Sequence, residues 1–175
     1  MKKIILLAML VFAFACDKDD HDNETLPPAT QSGKGTFACY VDGKPFIDKS
    51  GGWFNCYYQL VDGEYYFSIG SRNNGNSNPR HLYIQTEKKE IFERQTYELL
   101  TLSEGNAYAG AGFVFSPTEG YIEYTNTDYT GELTITKLDF ENNIISGTFW
   151  FDVKHPITGE TVEIREGRFD TLFTQ

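Results

Sequence analysis

Methionine and cysteine are scarce in this sequence, and sustained helical periodicity is missing. Two Met and three Cys occur among 175 residues, whereas Phe and Tyr number 14 and 11. Beyond the N-terminal segment, no stretch repeats apolar residues every 3.6 positions, as an amphipathic helix requires. Aromatic residues are enriched in strands, because they pack well on a pleated surface. The composition therefore favours a β protein.

Basic residues are also in short supply. The chain has 15 Lys and Arg against 25 Asp and Glu, and removal of residues 1–15 would leave 13 against 25, a formal charge of −12. A domain this acidic is repelled by phosphate backbones and by anionic lipid headgroups. We therefore expect no nucleic-acid partner, and any attachment to a membrane must be covalent.

Catalytic and cofactor motifs are absent from the sequence. It contains no His-Glu-x-x-His, no Gly-x-Ser-x-Gly, no Cys-x-x-Cys and no phosphate loop. The acidic run that includes Asp17, Asp19, Asp20 and Asp22 lacks the glycine and the distal bidentate acid of a calcium loop. We therefore expect a non-enzymatic protein with no metal and no other cofactor.

The N-terminus has the parts of a secretory signal. Lys2 and Lys3 precede the uncharged apolar run Ile4–Phe14, and Ala15 stands directly before Cys16. The run is too short to span a bilayer as a helix, and the acidic segment behind it argues against a buried N-terminal helix. We predict a signal peptide at residues 1–15, an acidic, proline-containing tether at 16–34 and a single domain at 35–175.

The segment Ala13–Cys16 resembles a bacterial lipoprotein box, with Ala13 where an aliphatic residue is commoner. The resemblance implies that Cys16 is lipidated and that several acyl chains together anchor the protein. Directly behind it, Lys18-Asp19-Asp20 resembles the surface-export signal of Bacteroidetes-type lipoproteins. The implied location is the cell-surface side of the outer membrane. The alternative is a chance cysteine after an ordinary signal.

The clearest element of the domain is a hairpin around Asp62-Gly63. Phe54–Leu60 and Tyr65–Ser71 flank this dipeptide, which supplies both positive-φ residues of a type I′ turn. Pairing through the turn sets Leu60 opposite Tyr65, Tyr58 opposite Phe67, and Cys56 opposite Ile69. This register gives one apolar and one polar face, and a slip of one residue would disrupt both.

Further strands are predicted between turn signals, and residues 87–95 fit either a short helical turn or an irregular connection. The predicted strands are Thr36–Val41, His81–Thr86, Thr96–Leu100, Ala109–Ser116, Gly120–Thr125, Glu132–Asp139, and a last hairpin of Ile144–Val153 with Thr161–Phe169. We predict an all-β fold, an antiparallel β-sandwich of about nine or ten short strands. A meandering β-barrel is the alternative.

Two separated blocks resemble a group of small Bacteroidetes-type lipoproteins of unknown function. The first block comprises Leu26–Gln31 and Thr36–Lys44, and the second comprises Gly131–Asp139, Ile145–Phe149 and Gly167–Phe169. With the anchor, the resemblance covers most of the chain. It implies a family but no activity, since its Gly and Phe positions fit turns and core.

The candidate binding residues are aromatic residues on the polar faces of strands, namely Trp53, Tyr57, Tyr66 and Trp150. In the last hairpin Arg165 falls across from Trp150, where its guanidinium can stack on the indole. Exposed aromatic residues can form a platform for sugar rings or for a protein partner, unless a second sheet covers them and makes them core.

Three functions therefore stay open. The first is a surface module that binds a glycan or a protein partner. The second is a structural or accessory envelope lipoprotein without a small-molecule site. The third is a lipocalin-like carrier, which would need a closed barrel around an apolar cavity.

Two covalent modifications are predicted within the domain. If Cys16 is acylated, Cys39 and Cys56 remain as a pair on apolar strand faces, which form a disulfide on export or stay as two buried thiols. Asp170-Thr171-Leu172 resembles the motif at which Bacteroidetes-type exported proteins are O-glycosylated, which implies a glycan on Thr171.

Overall fold

The computed structural model describes residues 25–51, 54–74 and 78–175. The predicted signal peptide, Cys16, Lys18-Asp19-Asp20 and Trp53 lie outside the described residues. Within the described ranges, no helix is long and apolar enough to cross a membrane. The strands are β1 Thr36–Val41, β2 Lys44–Ile47, β3 Asn55–Val61, β4 Glu64–Arg72, β5 His81–Thr86, β6 Thr96–Leu99, β7 Ala107–Ser116, β8 Glu119–Tyr124, β9 Gly131–Asp139, β10 Ile144–Lys154 and β11 Thr161–Leu172.

The eleven strands of the described residues belong to one sheet. Their order is β2-β1-β11-β10-β9-β6-β7-β5-β4-β3, and β8 pairs with β7 outside this path. The pairs are antiparallel except β6 with β7, where Leu99 meets Ala107 in a parallel contact. Beyond β11, Tyr58 N donates to Thr174 O over 2.9 Å and Thr174 N donates to Cys56 O over 3.0 Å. The sheet therefore curls until β3 meets the C-terminal segment.

The two halves of the curled sheet face each other across one aromatic core. Phe67 of β4 and Phe169 of β11 are far apart in strand order, yet their ring centroids are 6.3 Å apart. Phe37 of β1 contacts Phe149 of β10 at 5.0 Å, and all four rings are buried. The predicted all-β, sandwich-like fold is confirmed, and both layers belong to one continuous mixed sheet.

The hairpin around Asp62-Gly63 is confirmed residue by residue. Asp62 has φ 52° and Gly63 has φ 84°, as a type I′ turn requires. The pairs Leu60–Tyr65, Tyr58–Phe67 and Cys56–Ile69 are all present. Local turn chemistry and alternation were sufficient to predict this register.

Strand β2 is an element that the sequence pattern does not reveal, because Asp42-Gly43-Lys44-Pro45 has the composition of a turn. Asp42 and Gly43 do turn the chain, with φ 48° and 75°. Lys44 and Pro45 already pair with Val41 and Tyr40. Proline is tolerated there because β2 lies at the edge of the sheet, where an N–H can be missing without loss of a ladder bond.

Residues 87–95 form an irregular connection that two tyrosines hold in place. Tyr58 Oη accepts a hydrogen bond from Ile91 N over 3.1 Å. Tyr97 Oη accepts from Phe92 N over 2.7 Å and donates to Gln95 Oε1 over 2.8 Å. These bonds fix a loop whose backbone forms no strand.

Part of the predicted tether packs on the domain, and we call residues 27–34 the strap. The buried carboxylate of Asp170 accepts hydrogen bonds from Thr30 Oγ1 (2.6 Å), Ser32 N (3.0 Å), Gly33 N (2.7 Å), Lys34 N (3.2 Å) and Ser146 Oγ (2.9 Å). Burial alone would raise the pKa of Asp170, but the hydrogen bonds outweigh it and lower the pKa to about 2. The packed part of the chain thus begins ahead of residue 35.

The predicted disulfide is wrong for this structure, because Cys39 and Cys56 are both free and buried. Each faces the core as expected, but β1 and β3 are not neighbours in the sheet. Although both side chains face the core, Cys39 and Cys56 therefore remain two separate thiols. Burial raises the pKa of both thiols, and for Cys39 the charge of Arg168 offsets this only in part.

We expect neither thiol of the folded domain to react with a thiol reagent at neutral pH, since thiolate is the reactive form. A Cys16→Ser protein isolated without reductant should label at two cysteines in denaturant and at neither without denaturant. Mass spectrometry after alkylation would measure both numbers. A denatured protein that stayed unlabelled would show that a disulfide forms after all.

The predicted glycan on Thr171 also conflicts with the fold. Thr171 is 6 % exposed and lies opposite Ile145, which is fully buried. Its Oγ1 donates to Leu172 O over 3.2 Å. The folded domain leaves no room for a sugar on this side chain, and Asp170 of the same motif anchors the strap.

Candidate functional site

Trp150 lies on the outer face of β10. Strand alternation sends Phe149, Phe151 and Val153 into the core and Trp150 and Asp152 outward. Trp150 is partly exposed, and within the described residues no second sheet covers it as the core interpretation required. Its position is therefore that of a surface aromatic residue.

Two neighbours fix the indole of Trp150. Its Nε1 donates to Glu132 Oε2 over 3.1 Å, and the guanidinium carbon of Arg165 lies 5.4 Å from the ring centroid. Arg165 is itself held by Asp152 Oδ1 at 2.6 Å and by Glu163 Oε1 at 3.0 Å. The stacking of Arg165 on Trp150 that the hairpin pairing predicts is present.

A β-bulge in β11 sets this geometry. Phe149 pairs with Gly167 and Phe151 pairs with Ile164, so that Arg165 and Glu166 together oppose Trp150. Glu166 has φ 50°, a left-handed conformation that is uncommon for a residue with a Cβ. The bulge places a positive and a negative residue, Arg165 and Glu166, opposite Trp150.

A groove of about 450 Å³ runs beside the indole, and we call it the tryptophan groove. Thr148 and Thr134 pair across β10 and β9 along it, and Ala29 of the strap also lines it. Arg168 joins strap and bulge, because its Nη1 donates to Pro27 O over 3.3 Å and its Nε donates to Glu166 O over 3.1 Å. The charged and aromatic lining residues are Glu132, Phe149, Trp150, Glu166 and Arg168.

Tyr57 lines a different groove, the tyrosine groove, of about 280 Å³. Its other lining residues include Ser68, Gly70, His81, Tyr83 and Gln85. The two grooves share no lining residue, so the structure does not bring Tyr57 and Trp150 into one patch. Tyr66 is partly exposed beside Gln59 and lines neither groove.

Sequence reasoning misses most of the residues around these aromatic side chains. Glu132 and Thr134 follow from pairing β9 with β10, but the partner of a strand must be known first. Glu166 and Arg168 depend on the bulge, and His81 and Tyr83 depend on the neighbours of β5. Among the described residues, no group of three His, Cys, Asp or Glu is arranged to hold a metal ion.

The comparisons with known proteins bear on more than half of the chain. A family model for a domain of unknown function, DUF6252, matches residues 66–172. The match runs from β4 to the end of β11, so it contains the tryptophan groove except Ala29. It does not contain Tyr57. Searches of the curated proteins and of the solved structures found no significant match.

Proposed function

The chain belongs to the DUF6252 family, a domain of unknown function, and we propose that it is a non-enzymatic cell-surface lipoprotein that binds glycans in the tryptophan groove. The observation that carries this proposal is the partly exposed indole of Trp150, fixed beside a groove of about 450 Å³. A groove of this size falls in the range of small-ligand sites. The residues around the groove provide an aromatic surface and hydrogen-bonding groups for a sugar.

The lining of the tryptophan groove matches the chemistry of a polyol. A sugar ring presents apolar C–H faces that pack on an aromatic ring and hydroxyl groups that both donate and accept. Thr134 and Thr148 offer hydroxyls, Glu132 and Glu166 offer acceptors, and Arg168 offers donors. Because Glu132 and Arg165 already fix Trp150, little side-chain freedom is lost on binding.

Calorimetric titration of the purified domain with cellotriose, xylotriose and maltotriose tests this proposal. We expect at least one of these neutral sugars to bind. Trp150→Ala should weaken that binding at least about tenfold, or about 1.4 kcal/mol. The matched control is Tyr66→Ala, which removes a partly exposed tyrosine that lines neither groove. Equal affinities of the wild type and Trp150→Ala would refute the site, as would failure of all three sugars to bind.

The location rests on Cys16, which lies outside the described residues. We expect cells fed a fatty-acid analogue to label the wild-type protein and not Cys16→Ser, because the thiol and the new amine at that residue carry the lipid. Gel fluorescence of the immunoprecipitated protein measures the label. Equal labelling of both proteins would contradict the lipid anchor. Protease treatment of intact cells, with Lys18, Asp19 and Asp20 changed to Ala, tests surface exposure separately.

A protein partner is the second candidate, and an exposed apolar patch favours it. Tyr121 is 46 % exposed and Ile157 is 61 % exposed. The ring centroid of exposed Phe115 lies 6.2 Å from that of Tyr121 and 5.8 Å from that of His155. Exposed apolar clusters are typical of protein contacts. By contrast, the packed rings of the interior argue against a lipocalin-like carrier.

A further inference from the structure

The tyrosine groove has an open floor on the outer face of β4. Ser68 and Gly70 of this middle strand lie between Tyr57 of β3 and Tyr83 of β5. A Cβ on Gly70 would meet only the ring of Tyr83, at 3.5 Å. The missing side chain leaves room over the floor, and the two tyrosine rings can contact a flat or ring-shaped ligand.

Polar groups of the groove are available to a ligand with oxygen atoms. Gln85 Nε2 donates to Ser68 Oγ over 3.0 Å. Since the Ser68 hydroxyl accepts this bond, its own proton can be donated to a ligand. The hydroxyls of Tyr57 and Tyr83 supply further donors at the walls.

The charge near this groove is opposite in sign to the charge of the chain. Arg72 pairs with His81 across β4 and β5, and Arg72 follows Ser68 and Gly70 on the same face. Burial lowers the pKa of His81, and the positive charges of Arg72 and Arg80 lower it further. None of the lining residues is acidic, although the chain carries 25 acidic residues.

The carboxylate of Asp48 is hydrogen-bonded to this end of β4. Asp48 accepts from Ser50 N, Ser50 Oγ, Ser71 Oγ and Arg72 N at 2.7–3.0 Å. The bonds from Ser71 and Arg72 hold the segment before β3 against β4, and the two from Ser50 are local to that segment. The position of Asp48 is thus explained by its role in fixing the backbone at Ser50 and Arg72.

We propose that the tyrosine groove is a second binding site and that it takes an anion-bearing sugar. The sugar ring packs against Tyr57 and Tyr83, and its carboxylate or sulfate group lies toward Arg72 and His81. The tryptophan groove differs in charge, because Glu132 and Glu166 line it. The two grooves therefore divide neutral and anionic sugars between two separate regions of the outer face of the sheet.

Titration of the ¹⁵N-labelled domain by NMR tests this site with three probes. Trigalacturonic acid carries carboxylates, a chondroitin sulfate disaccharide carries both anions, and fully methyl-esterified trigalacturonic acid carries no charge. We expect at least one charged probe to shift the amides of β4 and β5, and the ester to bind at least about tenfold more weakly. The charged probe that binds more tightly shows whether the site prefers a carboxylate or a sulfate group. Because the chain as a whole repels anions, non-specific attraction cannot produce this result.

Three variants locate the site. Arg72→Gln should weaken binding of the charged probe at least about tenfold and leave the ester unchanged, since only the charge is lost. Tyr83→Ala removes a wall, and Gly70→Val fills the floor with a residue that suits a strand. The controls are Arg94→Gln, whose side chain is 86 % exposed in another loop, and Phe92→Ala, an exposed ring outside both grooves.

The outcomes separate this proposal from the first one. If the neutral sugars fail to bind while the charged probe still binds, only the proposal for the tryptophan groove is refuted. Failure of both charged probes overturns the second site, and so does equal binding of the ester. If Arg72→Gln does not fold, the salt dependence of wild-type binding provides the test. The affinity of the wild type for the charged probe must fall as sodium chloride rises from about 0.05 to 0.5 M. Unchanged affinity across that range overturns the proposal.

Discussion

Asp170→Ala is expected to lower the free energy of unfolding by about 3 kcal/mol, because it leaves the donors around a buried carboxylate without an acceptor. Three of these donors are backbone N–H groups of the strap, and two are hydroxyls of Thr30 and Ser146. Release of the strap into water limits the loss, since the freed N–H groups then bond to solvent. Urea unfolding followed by circular dichroism at neutral pH measures the change.

The same substitution should also damage the tryptophan groove. The strap supplies Ala29 to its lining and Pro27 O to Arg168. Once the strap lifts, Arg168 loses one of its acceptors and the groove loses a wall. The matched control is Asp128→Ala, an exposed aspartate in the turn after β8, which should change the stability by less than about 0.5 kcal/mol. Equal effects of the two substitutions would contradict the role of Asp170.

The lowered pKa of Asp170 also predicts how the stability of the fold changes at acidic pH. Its pKa is lowered from 3.8 to about 2 in the folded protein, so the unfolded chain binds this proton more tightly. The carboxylate therefore stabilises the fold above about pH 4, and this contribution of about 2 kcal/mol is lost as the pH falls from about 4 to 2. Asp170→Asn should unfold with a weaker pH dependence in that window. An identical pH dependence in wild type and variant would refute the assignment.

Gly131→Ala is expected to lower the free energy of unfolding by about 3 kcal/mol or more, because the added methyl group collides with backbone. A Cβ there would lie 2.3 Å from Trp150 O and 2.6 Å from Phe151 Cα. Gly131 pairs with Phe151 on one side and with Leu99 on the other, so neither neighbouring strand can move away freely. The collision would push β9 from β10 and shift Trp150.

The matched control for this glycine is Gly70→Ala. Gly70 also lies within a strand and has no positive φ, and its added Cβ would make only an ordinary contact with Tyr83. We expect Gly70→Ala to change stability by about 0.5 kcal/mol or less, with stabilisation favoured by the lower entropy of the unfolded chain. Thermal unfolding of both variants provides the comparison. A Gly131→Ala protein as stable as Gly70→Ala would show that β9 and β10 can separate at no cost.

Local patterns in the sequence were sufficient for the strands other than β2 and for the hairpin at Asp62-Gly63. Turn geometry at these two residues depends only on φ, and alternation along Cys56, Tyr58 and Phe67 depends only on which face is buried. The last hairpin and the stacking of Arg165 on Trp150 were predictable for the same reason, since both lie within one pair of adjacent strands. Adjacent antiparallel strands share a turn, and the turn fixes their register.

Contacts between distant strands could not be read from the sequence. The pairing of β1 with β11 and the closure of the sheet at Thr174 both join segments more than a hundred residues apart. These contacts decided that Cys39 and Cys56 stay unbonded and that Asp170 holds the strap. They also placed Trp150 and Tyr57 in separate grooves.

The sequence by itself thus determined the class of the fold and the inward and outward faces of the predicted strands, because these follow from alternation and turn chemistry. Only the tertiary structure decided which outward residues share a groove and which carboxylate is buried. The physical reason is that a strand's side-chain period is local, whereas its neighbour in the sheet is chosen by the burial of one common core.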